Sequence, residues 1–234
     1  VSGEARGVSD AADGDAGPRR RGRPRQLSLE RIASAARKVA PEALTMQAVA
    51  DELGVDPKAL NYHVGDREGL RELVALDIFE TELARVALPV DREWREVVRS
   101  YAVALRDAVV QVGVLASSVR LSGARGLGTL APVERVLEAL VGAGFDIHDA
   151  RIALTLITET SFSSGMHAVL LAQHRVHPDV PGVLSALETV DERELPVLRE
   201  VIADQEADDD QLDFKMTVIL DGLDRLLIRK RASG

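Results

Sequence analysis

Five arginines fall within seven residues: Arg19, Arg20, Arg21, Arg23 and Arg25 of "RRRGRPR". A guanidinium cluster this dense is suited to neutralising phosphates. It stands in a chain of 234 residues whose formal net charge is −9. A second group of residues lies far downstream, in "TLITETSFSSGMHAVLL". There Thr158, Ser161, Ser163 and Ser164 alternate with Phe162 and Met166. Apolar walls with a few polar points are what a small-molecule cavity needs. Helical serines also bond back to their own backbone, which is the plainer reading of the same hydroxyls. His174 and His177 could share a helical face and bind a metal, but at a helix end before a loop they read as solvated. "GARGLG" lacks the strand–turn–helix context of a phosphate loop. No nucleophile motif or paired-carboxylate pattern is present. These residues point to binding rather than catalysis, with no enzyme activity, metal or cofactor expected.

Composition says what must position them. Hydrophobic residues are 46% of the chain and aromatics only 3%, so the core must be aliphatic, which favours helices over sheets. There is no cysteine, which excludes disulfides, thiolate catalysis and cysteine-ligated metals, and fits a reducing cytoplasm. No apolar run reaches the roughly eighteen residues of a membrane span. Charge is uneven. Residues 1–76 carry 12 basic and 12 acidic side chains, leaving 17 and 26 for residues 77–234. Nucleic acid would therefore be repelled by the C-terminal two-thirds, and binding to it should be local and N-terminal.

The chain reads as all-helical. Residues 1–18 are a small, polar tail that reads as disordered, and 19–26 the basic arm. Ser28 caps a first helix that Pro41 stops. Thr45 caps a second, ended by Gly54. Asp56 and Pro57 open a third running to about His63, and Asp66 caps a fourth ending before Pro89. Two short helices joined by "GVD" form a helix-turn-helix, locked by Val49, Ala50, Leu53, Val55 and Leu60. Beyond it, Asp91 should open a helix with Tyr101 and Leu105. A shorter piece follows near Val114–Leu121, then a loop, "SGARGLGT", and a helix near Pro132–Val141. Asp146 opens a long helix to about Gln173, and "HPDVPG" is a loop. Short pieces near Val183–Thr189 and Glu192–Ala203 precede an acidic linker, "DQEADDDQ". The last helix carries Leu212, Met216, Ile219, Leu220, Leu223, Leu226 and Leu227 at spacings of three and four.

The segment "LTMQAVADELGVDPKALNYHVGDREGLRELV", Leu44–Val74, resembles the DNA-binding segment of TetR-family transcriptional regulators. "ALVGAGFDIHDA" and "LDFKMTVILDGLDRLLIRK" resemble the tetracycline-repressor subclass. The resemblance implies an all-α fold: a three-helix DNA-binding domain at 27–76 and a helical effector-binding and dimerisation domain at 77–234. It implies a homodimeric repressor on a palindromic double-stranded operator, released by a small molecule. Residue by residue, Thr45 and Gln47 stand where the second helix meets DNA. Lys58, Ala59, Asn61, Tyr62 and His63 form the groove-facing side of the recognition helix. Arg67 stands where a lysine holds a phosphate. Asn61 replaces a frequent Tyr and Val64 a frequent Phe, which leaves the operator's identity open. Asn can pair bidentately with adenine.

The basic arm precedes the first helix on the side that faces DNA in this family. "RGRP", Arg21–Pro24, resembles an AT-hook core, in which Arg21, Arg23 and Arg25 would enter a narrow minor groove. A tail that only adds charge is the alternative. For the effector, Tyr101 and Leu105 fall where the subclass holds its drug-contacting Asn and Phe, so magnesium–tetracycline is not expected. An apolar or aromatic metabolite is, held by Tyr101, Leu105, Thr158, Ser161, Phe162 and Met166, with Arg120 either a charged group of the pocket or a surface or salt-bridged arginine. A DNA-architectural protein without effector is the second reading, and a helical-bundle enzyme the third.

Overall fold

The computed structural model describes residues 27–90, 92–120, 127–174, 177–203 and 211–233. The tail, the arm with Arg21, Arg23 and Arg25, Asp91, most of "SGARGLGT" and most of the acidic linker lie outside them. Among the described residues there is no strand. The helices are α1 (Leu29–Ala36), α2 (Met46–Leu53), α3 (Pro57–Val64), α4 (Arg67–Ala84) and α5 (Trp94–Val112). After these come α6 (Leu130–Ala143), α7 (Ile147–Gln173), α8 (Asp179–Leu187), α9 (Pro196–Ala203) and α10 (Gln211–Ser233). Tighter 3₁₀ turns cover Pro41–Ala43, Gly113–Ser118 and Leu127–Thr129.

Local chemistry sets most boundaries. Ser28, Thr45, Asp56, Asp66 and Asp146 each accept a backbone N–H in the following first turn, satisfying donors that an isolated helix end leaves orphaned. Pro57 occupies the first position of α3, where its missing N–H costs nothing. Gly54 ends α2 at φ 66°, a left-handed conformation that would strain any residue with a Cβ. Two expectations shift. α5 starts at Trp94 behind Glu93, which makes no side-chain cap. "HPDVPG" is not all loop: α8 begins at Asp179, with Pro181 in its first turn, where no intrahelical N–H bond is lost.

One aliphatic core runs through the molecule. Ile32, Ala36, Leu44, Val49, Leu60, Leu70 and Val74 close α1–α4. Val97, Tyr101, Leu105, Val109, Leu140, Ile157, Met216 and Leu220 continue it among α5, α6, α7 and α10. α4 runs unbroken past residue 76 and packs on α1, α3, α5 and the 3₁₀ turn Gly113–Ser118. The apolar stripe of α10 divides in two. Leu212, Met216, Leu220, Leu223 and Leu227 are buried within the chain, whereas Phe214 and Val218 are 73% and 57% exposed on another side. Leu226 is exposed and Ile219 half-buried, so the spacing that groups all seven as one stripe overstates it. Arg95 pairs with Asp221 and Asp224, and Arg99 with Asp213, across the α5–α10 seam. Among the described residues no helix is long and apolar enough to cross a membrane.

Candidate nucleic-acid interface and effector site

The α2–turn–α3 unit is held from inside. Leu60, Val49 and Ala50 are fully buried, and the Val55 N–H reaches back to the Ala50 carbonyl at 3.0 Å. Burying one face of α3 commits the other to solvent. Lys58, Asn61 and Tyr62 are exposed, and Tyr62 is 89% so. A large aromatic projecting this far buries little of itself against the described residues. Ala59 and His63 are half-buried at the edge of this face, and the His63 ring meets Tyr62 edge-on at 5.5 Å.

The other expected contacts sit at helix starts. Thr45 spends its hydroxyl on the Ala48 N–H at 3.1 Å, which leaves the remaining N–H groups of the first turn of α2 facing outward. Gln47 is exposed and donates to Asp51 at 2.7 Å. Arg67, on the first turn of α4, donates from Nε to the Leu44 carbonyl at 3.3 Å. Its guanidinium is thereby fixed beside the start of α2. The structure brings Thr45 and Arg67 together, with α3 adjoining both.

The effector residues divide. Tyr101 and Leu105 are buried on α5. Thr158 on α7 faces Tyr101, the two hydroxyl oxygens 3.5 Å apart, a long contact for a hydroxyl pair. Burial pushes the Tyr101 phenol above its ordinary range, and the Thr158 hydroxyl offsets part of that. The phenol therefore stays protonated at neutral pH and available as a donor. Phe162 and Met166 are half-buried and pack against the core. Ser161 is fully buried, and its hydroxyl bonds back to the Ile157 carbonyl at 2.7 Å, the plainer of the two readings for this stretch. Arg120 stands apart from the group: it is exposed and donates to the carbonyls of Ser117 and Val119 at 2.8 and 2.9 Å.

Two features escape sequence spacing. His177 stacks on His167 of α7, ring centres 5.5 Å apart, and not on His174. A groove of about 520 Å³ runs between α7 and α10, lined by Leu156, Phe214, Val218 and Ile219 with Glu159 and Lys215. Among the described residues no group of three or more His, Cys, Asp or Glu could hold a metal ion.

No protein-family model matches the chain. Solved structures do resemble it. A possible TetR-family regulator from Streptomyces coelicolor superposes with a TM-score of 0.68 at 21% identity, over 85% of this chain and 100% of that one. ActR from Streptomyces coelicolor, in complex with actinorhodin, gives 0.66 at 22%, over 84% and 95%. A variant of TetR from Acinetobacter baumannii AYE, in complex with minocycline, gives 0.59 at 18%, over 86% and 98%. The fold of this chain is that of the TetR-family regulators.

Proposed function

We propose that this chain is a TetR-family transcriptional regulator that acts as a homodimeric repressor. It binds a palindromic DNA operator through α3 and the start of α2, and releases it when an apolar or aromatic small molecule binds between α5 and α7. The observation that carries this reading is the outer face of α3. Lys58, Asn61 and Tyr62 are exposed on a helix whose opposite side is locked by Leu60. A polar face on a rigid helix, with an arginine and a capped helix start beside it, suits major-groove readout flanked by phosphate contacts. The five arginines of the arm add positive charge on the same side of the sequence. The ligands in the ActR and TetR structures support a small-molecule effector for this chain. The Tyr101 and Thr158 hydroxyls, set among Leu105, Phe162 and Met166, offer hydrogen bonds within an apolar wall. Release is a population shift, and a hundredfold loss of operator affinity needs about 2.7 kcal/mol of differential ligand binding. A protein acting this way works in the cytoplasm and carries no catalytic step.

The test is selection of duplexes from random-sequence DNA by the purified chain. Enrichment of one motif with dyad symmetry is expected. A pool that stays unenriched, or a motif without a dyad, overturns the reading.

A further inference from the structure

Arg67 and Glu68 are neighbours on the first turn of α4, and their side chains diverge. Arg67 reaches the Leu44 carbonyl, just ahead of the α2 cap Thr45. Glu68 reaches the other way and accepts the Ser118 hydroxyl at 3.0 Å. Ser118 ends the 3₁₀ turn that follows α5, and it is buried although its partner is exposed. That turn is stiffened twice. Leu115 and Ala116 are buried beneath it, and Arg120 clamps the carbonyls of Ser117 and Val119. Around the bond lies a polar cleft of about 560 Å³, lined by Asp66, Arg67, Glu68, Arg71, Ser117 and Ser118.

We infer that Ser118 is a positioning residue for the DNA-reading helices. Its hydroxyl ties the turn after α5 to Glu68, and Arg67 passes the constraint to the start of α2. Two adjacent residues of one rigid helical turn thus hold both sides of the junction, so a shift of residues 113–120 must move the start of α2 or break a bond. Arg120 acts here as well, by fixing the turn that presents Ser118. This rests on the regulator reading only for its consequence in DNA binding; the mechanical link stands on the contacts.

The experiment uses the full chain with Ser118→Ala, Glu68→Ala, Glu68→Gln and the Ser118→Ala/Glu68→Ala double variant. Amide hydrogen exchange is followed peptide by peptide. Ser118→Ala is expected to speed exchange across residues 44–64 about 3- to 10-fold, the factor one hydrogen bond supports. α5 and α7 keep their wild-type protection. Glu68→Gln, which retains an acceptor oxygen, behaves as wild type. The double variant is no worse than either alanine variant alone. For a duplex selected by the wild-type chain, Ser118→Ala weakens binding by a similar factor. Its salt dependence is unchanged, because no charge has been altered. Unchanged exchange in 44–64, equal loosening of α5 and α7, or additive effects in the double variant each overturn the inference. A wild-type chain that selects no duplex instead sinks the regulator reading, and the exchange data still decide the link.

Discussion

A Cβ on Gly165 of α7 would stand 2.7 Å from the Cβ of Val109 and 2.8 Å from the Arg106 carbonyl oxygen of α5. No side-chain carbon tolerates such distances, so the two helices touch here because the residue is glycine. Seven residues earlier on α7, Thr158 faces Tyr101. The proposed effector residues therefore lie along a seam whose far end is closed by backbone contact. Gly165→Ala gains about 1 kcal/mol of helix propensity but overpacks the seam, which typically costs about 1–3 kcal/mol. A net loss of stability is expected, larger for Gly165→Val. Thermal melting of the two variants checks this. Wild-type stability in both would show that the α5–α7 spacing is set elsewhere.

The recognition face separates binding from folding. Asn61→Ala should weaken binding to a selected duplex by roughly 1–3 kcal/mol for each base that Asn61 pairs with, and relax preference at one position of each half-site. The melting temperature should stay nearly unchanged. Leu60→Ala should do the reverse, because it empties a fully buried site and costs about 2–5 kcal/mol. Binding curves over a set of single-base variants, together with melts, test the pair. Unaltered affinity and preference in Asn61→Ala would remove Asn61 from the interface.

For the arm, the readout is salt. If two or three arginines per subunit neutralise phosphates, deleting residues 1–26 lowers the slope of log affinity against log salt by about 4–5 per dimer. An unchanged slope would mean that the arm does not touch DNA.

The stacked histidines give a pH dependence. Desolvation, then the neighbouring His177 and Lys215, hold the His167 pKa below its ordinary value. The unfolded chain therefore takes up a proton at a pH where the folded chain does not. Stability should fall as pH drops through the ordinary histidine range and on through the depressed value, where folded His167 finally charges. His167→Gln should flatten that limb of a stability–pH profile. An identical profile in the variant would assign the limb to other groups.

Association is the remaining test. Phe214→Glu, on the exposed side of α10, should leave the fold intact and shift light scattering from dimer to monomer. Leu220→Ala should cost stability first, because Leu220 is buried within the chain. Monomeric mass for the unaltered chain at micromolar concentration would count against the homodimer.

What could be read in advance was local. Caps at Ser28, Thr45, Asp56, Asp66 and Asp146 and the stop at Gly54 depend on a few consecutive residues, and each was legible as a residue type at a helix edge. The buried Leu60 of α3 follows from the apolar residues that lock the helix pair, and the outward Asn61 and Tyr62 from the family resemblance. What depended on distant neighbours was hidden. Spacing links His177 to His174, whereas tertiary packing lays it on His167. It leaves Ser161 open between a ligand contact and a bond back to its own helix, and in the folded chain the hydroxyl lies on the Ile157 carbonyl. It cannot say that Arg120 closes on its own turn, or that Glu68 waits for Ser118 fifty residues on.

The two-sided character of α10 has a thermodynamic consequence. One side is covered by the chain's own core, a term independent of concentration. If a second molecule covers the side bearing Phe214 and Val218, that contribution obeys mass action. In a dimer closed over that side, the melting temperature would climb with protein concentration. A cell holding few copies would then keep a less durable, more readily turned-over pool than one holding many. Abundance would set how long each molecule lasts, with no change in any residue.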